Sequence, residues 1–206
     1  MVVLLLAASA EALDVSVELY RDARRAGALG VVAGRVAAEP RTLRLPPQPF
    51  TGTTVSLLPH SKDLVARLEQ LKAGSRASST AFTAAAPAMR KARDLFELEL
   101  LEAGVPDLAS MVLVDRDGRF TLTDVPEGAW VLFAWHSSPV GVSSPKPTTR
   151  QRDLYQRQSR LEGYQAVTVW LRALTVTGGE TTTVELTDRN GWFRGVAEER
   201  VLDTGR

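Results

Sequence analysis

Two histidines, His60 and His136, are the only imidazoles in the chain, and there is no cysteine. A histidine-based metal site needs three or four converging ligands, and a hydrolytic one needs an acid within hydrogen-bond reach. The two histidines lie far apart, and neither has a carboxylate at a ligand-like spacing. Surface or cap histidines are the default reading; a hydrolase using His136 or His60 is the alternative. Disulfides, thiol nucleophiles and cysteine-held zinc are excluded.

"DRDGRF" (115–120) has the look of a calcium loop. An EF-hand loop needs acids at positions 1, 3 and 5, Gly at 6 and Glu at 12. Counted from Asp115, Gly118 falls at position 4 and Pro126 at 12, so the pattern fails. A looser site sharing Asp115, Asp117 or Asp124 stays open. The residues fit a type I turn better, with Gly118 in the left-handed region. "LTDRNGWF" (186–193) echoes "LVDRDGRF" (113–120), and Asp188 and Asn190 fail the calcium test likewise. The flanks do not align, so the echo is two similar turns.

No G-x-S-x-G elbow and no glycine-rich phosphate loop is present. No cofactor is expected. Glu97, Glu99 and Glu102 stand beside Arg90, Lys91 and Arg93 on one helical stretch, which reads as a solvated face. Four tryptophans remain: Trp130, Trp135, Trp170 and Trp192. An exposed indole can stack on the apolar face of a sugar ring. Trp130 and Trp135 differ by five, so they point to opposite sides of a strand and at least one belongs to the core. Trp170 sits mid-strand. Trp192, beside a turn, is the best exposed candidate.

These residues need a scaffold. "VSVELY" (15–20) alternates like a half-buried strand, and "GVVAGRVAA" (30–38) and "GTTVSLLP" (52–59) also read as strands. Pro40, Pro46, Pro47 and Pro49 make the link between the latter two an extended loop. From Ser61 to Gly104 the period becomes helical. Ser61 caps a segment with Leu64, Leu68 and Leu71 on one face, ending at Gly74. After the small-residue stretch "SRASSTAFTAAAP", a second helix carries Met89, Ala92, Phe96, Leu100 and Ala103, widened by Leu95 and Leu98. Gly104 and Pro106 end it. Strands resume at "MVLV" (111–114), through "RFTLTDV" and "AWVLFAW", then at 164–176 and 181–187, joined by Gly178 and Gly179. A slip in the alternation near Arg172 and Ala173 suggests a bulge. Residues 136–163 read as a long polar loop, with a short helix at Arg150–Leu161.

The formal net charge of +1 argues against nucleic-acid or anionic-membrane binding. The N-terminal "MVVLLLAASAEALD" is too short to span a bilayer. It reads either as the apolar part of a secretory signal, with Ala10 and Ala12 at a small-x-small cleavage site, or as an apolar arm. No lysine or arginine precedes Arg21. Residues 1–12 are then a signal or arm, 13–200 one domain and 201–206 a tail.

The pattern resembles the carboxypeptidase regulatory-like domain, a transthyretin-like β-sandwich. The resemblance is carried by Gly34 to Val36, Gly52 to Leu57, "DGRFTL" (117–122), "VPEGAWVL" (125–132) and Gly179-Glu180 to Leu186. It covers roughly half the chain. The helical insert at 61–104 and the 136–163 segment depart from it. The related hydroxyisourate hydrolases end in Tyr-Arg-Gly-Ser; this chain ends "VLDTGR", which excludes that enzyme.

The expected fold is mainly β with an α insert: a transthyretin-like antiparallel sandwich of about seven to eight strands, with a helical hairpin at 61–104. Within it, Phe120 and Leu122 point to the core while Arg119, Thr121 and Thr123 point out, and "AWVLFAW" is a central strand covered on both faces. What the resemblance implies is a non-catalytic binding or assembly module in an exported bacterial protein, periplasmic or extracellular; a cytoplasmic location stays open. The expected partner is another protein, with carbohydrate as the alternative. The insert and the loop are the expected partner surfaces, as additions to a scaffold that folds without them. The residues that would carry contact are Phe96, Leu100, Arg150, Arg152, Arg157 and Trp192. The protein reading requires Phe96 and Leu100 to be exposed. The carbohydrate reading requires two or more coplanar exposed aromatics.

Overall fold

Residues 130–134, Trp-Val-Leu-Phe-Ala, are five buried positions in a row. A strand that alternates inside and outside cannot bury five neighbours unless both faces are covered. The fold supplies both covers. The computed structural model describes residues 13–40, 46–140 and 159–202. The chain order is α1 (Val17–Arg25), β1 (Leu29–Ala38), β2 (Gln48–Pro49), β3 (Thr54–Pro59), α2 (Lys62–Gly74), α3 (Ser79–Glu102), a 3-10 turn (Pro106–Leu108), β4 (Ser110–Leu113), β5 (Arg119–Pro126), β6 (Gly128–Val140), β7 (Ser159–Val176), β8 (Thr181–Thr187) and β9 (Phe193–Leu202).

Two sheets form the sandwich. The larger has the order β4-β3-β6-β7-β9, all antiparallel, with β6 at its centre. In the smaller, β1 pairs with β5 and β2 antiparallel and with β8 parallel. The architecture is therefore mainly β with a helical insert, as expected, though one of its pairings is parallel. Directly paired residues share a face. Trp130, Leu132 and Ala134 face the smaller sheet and its buried Val32, Val36, Phe120 and Leu186. Val131 and Phe133 face the helices, where Leu64, Leu68, Met89, Ala92, Phe96 and Leu100 are buried. Phe133 lies 5.9 Å from the guanidinium of Arg93 on α3, which fixes the side it faces.

The expected turn at 115–120 is present. The Asp115 carboxylate accepts from the backbone of Asp117 at 2.9 Å and of Arg119 at 2.7 Å, and Gly118 has φ 79°. The turn does not close a flat hairpin: β4 and β5 belong to different sheets, so it carries the chain across the sandwich. Beyond it, Phe120 and Leu122 are buried and Arg119, Thr121 and Thr123 are exposed. The second turn, at 188–191, also crosses between sheets, from β8 to β9.

Several expectations are corrected. Residues 15–20 are not a strand: the helix α1 starts within them, at Val17. Its charges pair one turn apart, Glu18 with Arg21 and Asp22 with Arg25, each at 2.7 Å, and Gly27 ends it at φ 70°. Its buried residue is Tyr20, whose ring meets Trp130 edge-on at 4.9 Å and whose hydroxyl donates to the Ala129 carbonyl. The second helix begins earlier, inside the small-residue stretch: α3 starts at Ser79, capped by the Ser78 hydroxyl, and runs through Pro87. Alanine is the best helix former, and Pro87 sits on the exposed side. The polar 136–163 segment is strand at both ends: β6 extends to Val140 and β7 starts at Ser159. Leu161 is thus in a strand, while most of the helix expected at 150–161 lies outside the described residues, as do residues 1–12. The ladder is continuous through Arg172 and Ala173; the register shift falls between Leu161 and Gly163. Finally, β9 is a ninth strand that polar "AEER" concealed.

The hairpin insert is a cover over the central strand rather than an addition to a finished scaffold. Replacing 61–104 by a short glycine–serine linker is expected to give a chain without a cooperative unfolding transition, checked by circular dichroism. Gly34 marks the tightest approach within the smaller sheet. A Cβ there would press on the Val184 carbonyl and lie 2.6 Å from the Phe120 ring. Gly34→Ala should lower stability by about 1–3 kcal/mol in urea titration.

Candidate functional site

Helix α3 has two working faces. Ala85, Met89, Ala92, Phe96 and Leu100 pack on the sheet. Pro87, Arg90, Lys91 and Asp94, spaced at i, i+3, i+4 and i+7, form a second stripe that overhangs it. Under this stripe the outer parts of β6, β7 and β9 continue past the helix. Their helix-facing residues include Trp135, Ser137, Gln165, Val167, Ala197 and Glu199. The register sets these in rows: Ser137 pairs with Val167, and Gln165 with Ala197. Wall and floor enclose a cleft of about 400 Å³. That volume lies within the range of small-molecule sites.

The floor is apolar at its centre. Val167 is buried, and Trp135 and Ala197 are half-buried. The polar groups stand at the sides. Gln165 Nε2 donates to Glu199 Oε2 at 2.7 Å. On the wall, the Arg90 guanidinium lies over the Trp135 ring, 5.8 Å from its centroid. Such a contact holds a cation in place over an aromatic face.

One buried side chain joins wall to floor. Arg93 donates to Ser56 Oγ on β3 at 3.0 Å and to Glu97 at 2.9 Å, and pairs with Asp94 at 2.8 Å. The expectation of a solvated charged face over 90–102 fails here: Arg93 is buried, and its Nε has no hydrogen-bond partner among the described residues. An apolar side chain of similar length avoids that unpaired donor.

The expected contact residues do not come together. Phe96 and Leu100 are 4% and 0% exposed, so they are core and not a partner surface. The reason is that the insert spends its apolar stripe on the larger sheet. Trp192 is half-buried and engaged: its Nε1 donates to Glu69 at 2.8 Å, and Lys72 lies 4.5 Å over its ring. Arg150, Arg152 and Arg157 lie outside the described residues. Trp130 and Trp170 are buried, their Nε1 donating to the carbonyls of Pro126 and Thr187. A pair of coplanar exposed indoles is thus absent among the described residues; Trp135, alone at the cleft, is the site residue that sequence reasoning passed over. Its i+5 relation to buried Trp130 was the signal available.

His136 is next to Trp135 in sequence but on the opposite face. Its Nδ1 lies 3.0 Å from Thr53 Oγ1, and the Phe50 ring stacks at 4.7 Å. His60 donates its backbone N–H to the Ala129 carbonyl at 3.0 Å. Neither imidazole hydrogen-bonds a carboxylate among the described residues, and no three potential metal ligands cluster there. A second cavity of about 260 Å³ lies between β1 and β8, lined by residues including Arg35, Glu39, Pro47 and Glu185; it has no aromatic wall.

No family model and no curated protein matches the chain. Two solved structures are similar in general form. A candidate carbohydrate-binding protein from Pseudomonas aeruginosa aligns over 78% of this chain and 88% of its own, at 17% identity and TM-score 0.41. A minor pilin from Streptococcus agalactiae aligns over 87% of this chain and 48% of its own, at 10% identity and TM-score 0.32. These values are too low to carry a residue or a ligand across.

Two outcomes follow from the buried polar groups. Arg93→Ala should cost about 2–4 kcal/mol and Arg93→Met less than about 1 kcal/mol, read from urea midpoints. Burial holds the His136 imidazole below its ordinary value of 6.5. The folded state then binds fewer protons than the unfolded one, so stability falls as pH drops through 6.5. His136→Gln should flatten that slope between neutral and mildly acidic pH in the same titrations.

Proposed function

We propose that this chain is a non-catalytic binding module whose cleft between α3 and the β6–β7–β9 surface takes a carbohydrate. The pair of coplanar exposed aromatics expected of a sugar platform is absent among the described residues, and the reading is carried instead by the composition of the floor around a single indole. An accessible part of the Trp135 indole lies with Val167 and Ala197, flanked by Ser137, Gln165 and Glu199. Sugar rings present C–H groups on one face and hydroxyls at their rim. An apolar floor with hydroxyl, amide and carboxylate groups around it matches both. The non-catalytic reading is supported by the two histidines, neither of which faces this cleft with an acid.

The finer placement among carboxypeptidase regulatory-like domains, in an exported protein, is supported by "DGRFTL" and "VPEGAWVL". In the second phrase Gly128 has φ 149°, and a Cβ there would lie 2.9 Å from the Tyr20 ring. No helix among the described residues is long and apolar enough to cross a membrane.

A protein partner is the second reading, moved to a new surface. On the edge strand β4, Met111 and Leu113 are 63% and 64% exposed, with Leu98 and Leu101 exposed on α3. An open edge with apolar side chains is a pairing surface that monomers usually blunt with charge.

Glycan-array binding followed by calorimetry tests the first reading. Trp135→Ala should weaken the affinity for the best glycan by at least about tenfold, and Trp192→Ala should leave it unchanged. An array on which no glycan binds would falsify the proposal. For the second reading, Leu113→Glu should shift a self-association or partner complex to monomer in light-scattering chromatography.

A further inference from the structure

We infer that the cleft's ligand is an acidic saccharide of the uronate type, its carboxylate held by Arg90 with Lys91. This rests on the carbohydrate reading of the same cleft. The Arg90 guanidinium carbon lies 5.8 Å from the centroid of the Trp135 ring. A guanidinium binds a carboxylate through two parallel hydrogen bonds from its N–H edge. Neither Arg90 nor Lys91 makes an ion pair among the described residues. Asp94, on the same stripe, is turned to Arg93 at 2.8 Å. Arg90 and Lys91 therefore present positive charge on the helix wall, beside an Asp94 carboxylate that is turned to Arg93.

The strand wall is different. There Glu199 is held by Gln165 at 2.7 Å, which leaves carboxylate and amide oxygens to accept from hydroxyls. The cleft is polarised across its width. A neutral sugar leaves Arg90 and Lys91 unmatched. Glu198 and Glu199 stand on the strand side, so where a ligand's charge falls, rather than its sign alone, decides its fit. A bare anion leaves the floor and the strand wall without contacts. A pyranose with one carboxylate meets every part: carboxylate to α3, hydroxyls to Gln165, Glu199 and Ser137, C–H face to Val167, Ala197 and the part of the Trp135 ring that Arg90 leaves uncovered.

The test is calorimetry with trigalacturonate and with its methyl ester, which has the same stereochemistry and no charge. A second matched pair, trimannuronate and its methyl ester, covers the other common hydroxyl arrangement. The acid of at least one pair should bind about tenfold or more tighter than its ester, and weaken with added salt. Arg90→Ala should abolish that preference and Arg90→Lys should keep part of it. Arg90 is exposed and makes no ion pair among the described residues, and unchanged thermal unfolding will show that both variants fold. Ester binding as tight as acid, or a preference that survives Arg90→Ala, overturns the acidic assignment and leaves the carbohydrate reading standing. If neither acid nor ester of either pair binds and the array is also blank, both fall. If the array yields only neutral glycans, the acidic assignment alone falls.

Discussion

Everything in this fold depends on covering one strand twice. The centre of β6 is apolar on both faces, so water must be kept from both. Burying a side chain such as Leu132 or Phe133 contributes about 1.5–3 kcal/mol. The smaller sheet takes one face, with Val32, Phe120 and Leu186. The helical pair takes the other. This explains why the insert sits where it does in the chain. It follows β3, the strand beside β6, so its helices drop directly onto the face that β3 and β6 share.

The same requirement builds the cleft. Helix α3 covers the middle of the larger sheet, but β6 and β7 run on beyond it to Val140 and from Ser159. Where the helix ends its cover, Trp135 is left between core and surface. Arg93, reaching back to Ser56, sets how closely the wall stands to the floor. Strand parity then separates two neighbours. Trp135 belongs to the cleft, while His136 is turned into the sandwich against Phe50 and Thr53.

Much of this was legible in the residues. The period-2 pattern around Phe120 and Leu122, and the double cover of "AWVLFAW", needed only short-range reasoning. So did the caps at Ser61 and Gly104. The failures have physical reasons. Val15, Val17 and Leu19 alternate by chance; the i,i+3 charge pairs that favour the helix are weak cues in a sequence. The start of α3 inside the small-residue stretch was missed because Ala and Ser carry no apolar stripe to mark it. The stripe of Phe96 and Leu100 was recognised, but a stripe does not say what it packs on. The cleft was hidden for a related reason. Its residues come from α3, β6, β7 and β9, and only the register brings Ser137, Gln165 and Glu199 to one side of Trp135.

The parallel pairing of β1 with β8 has a consequence in time. Val31 to Ala37 must lie beside Thr181 to Thr187, about 150 residues later. On β1's other side, β5 is nearer but still some ninety residues away. Contacts this distant close large loops before they give anything back, which makes assembly slow. During synthesis the larger sheet can gather most of its strands while β1 still has an open side. One side of the apolar "LGVVAGRVAA" therefore stays open until a strand from the far end of the chain reaches it.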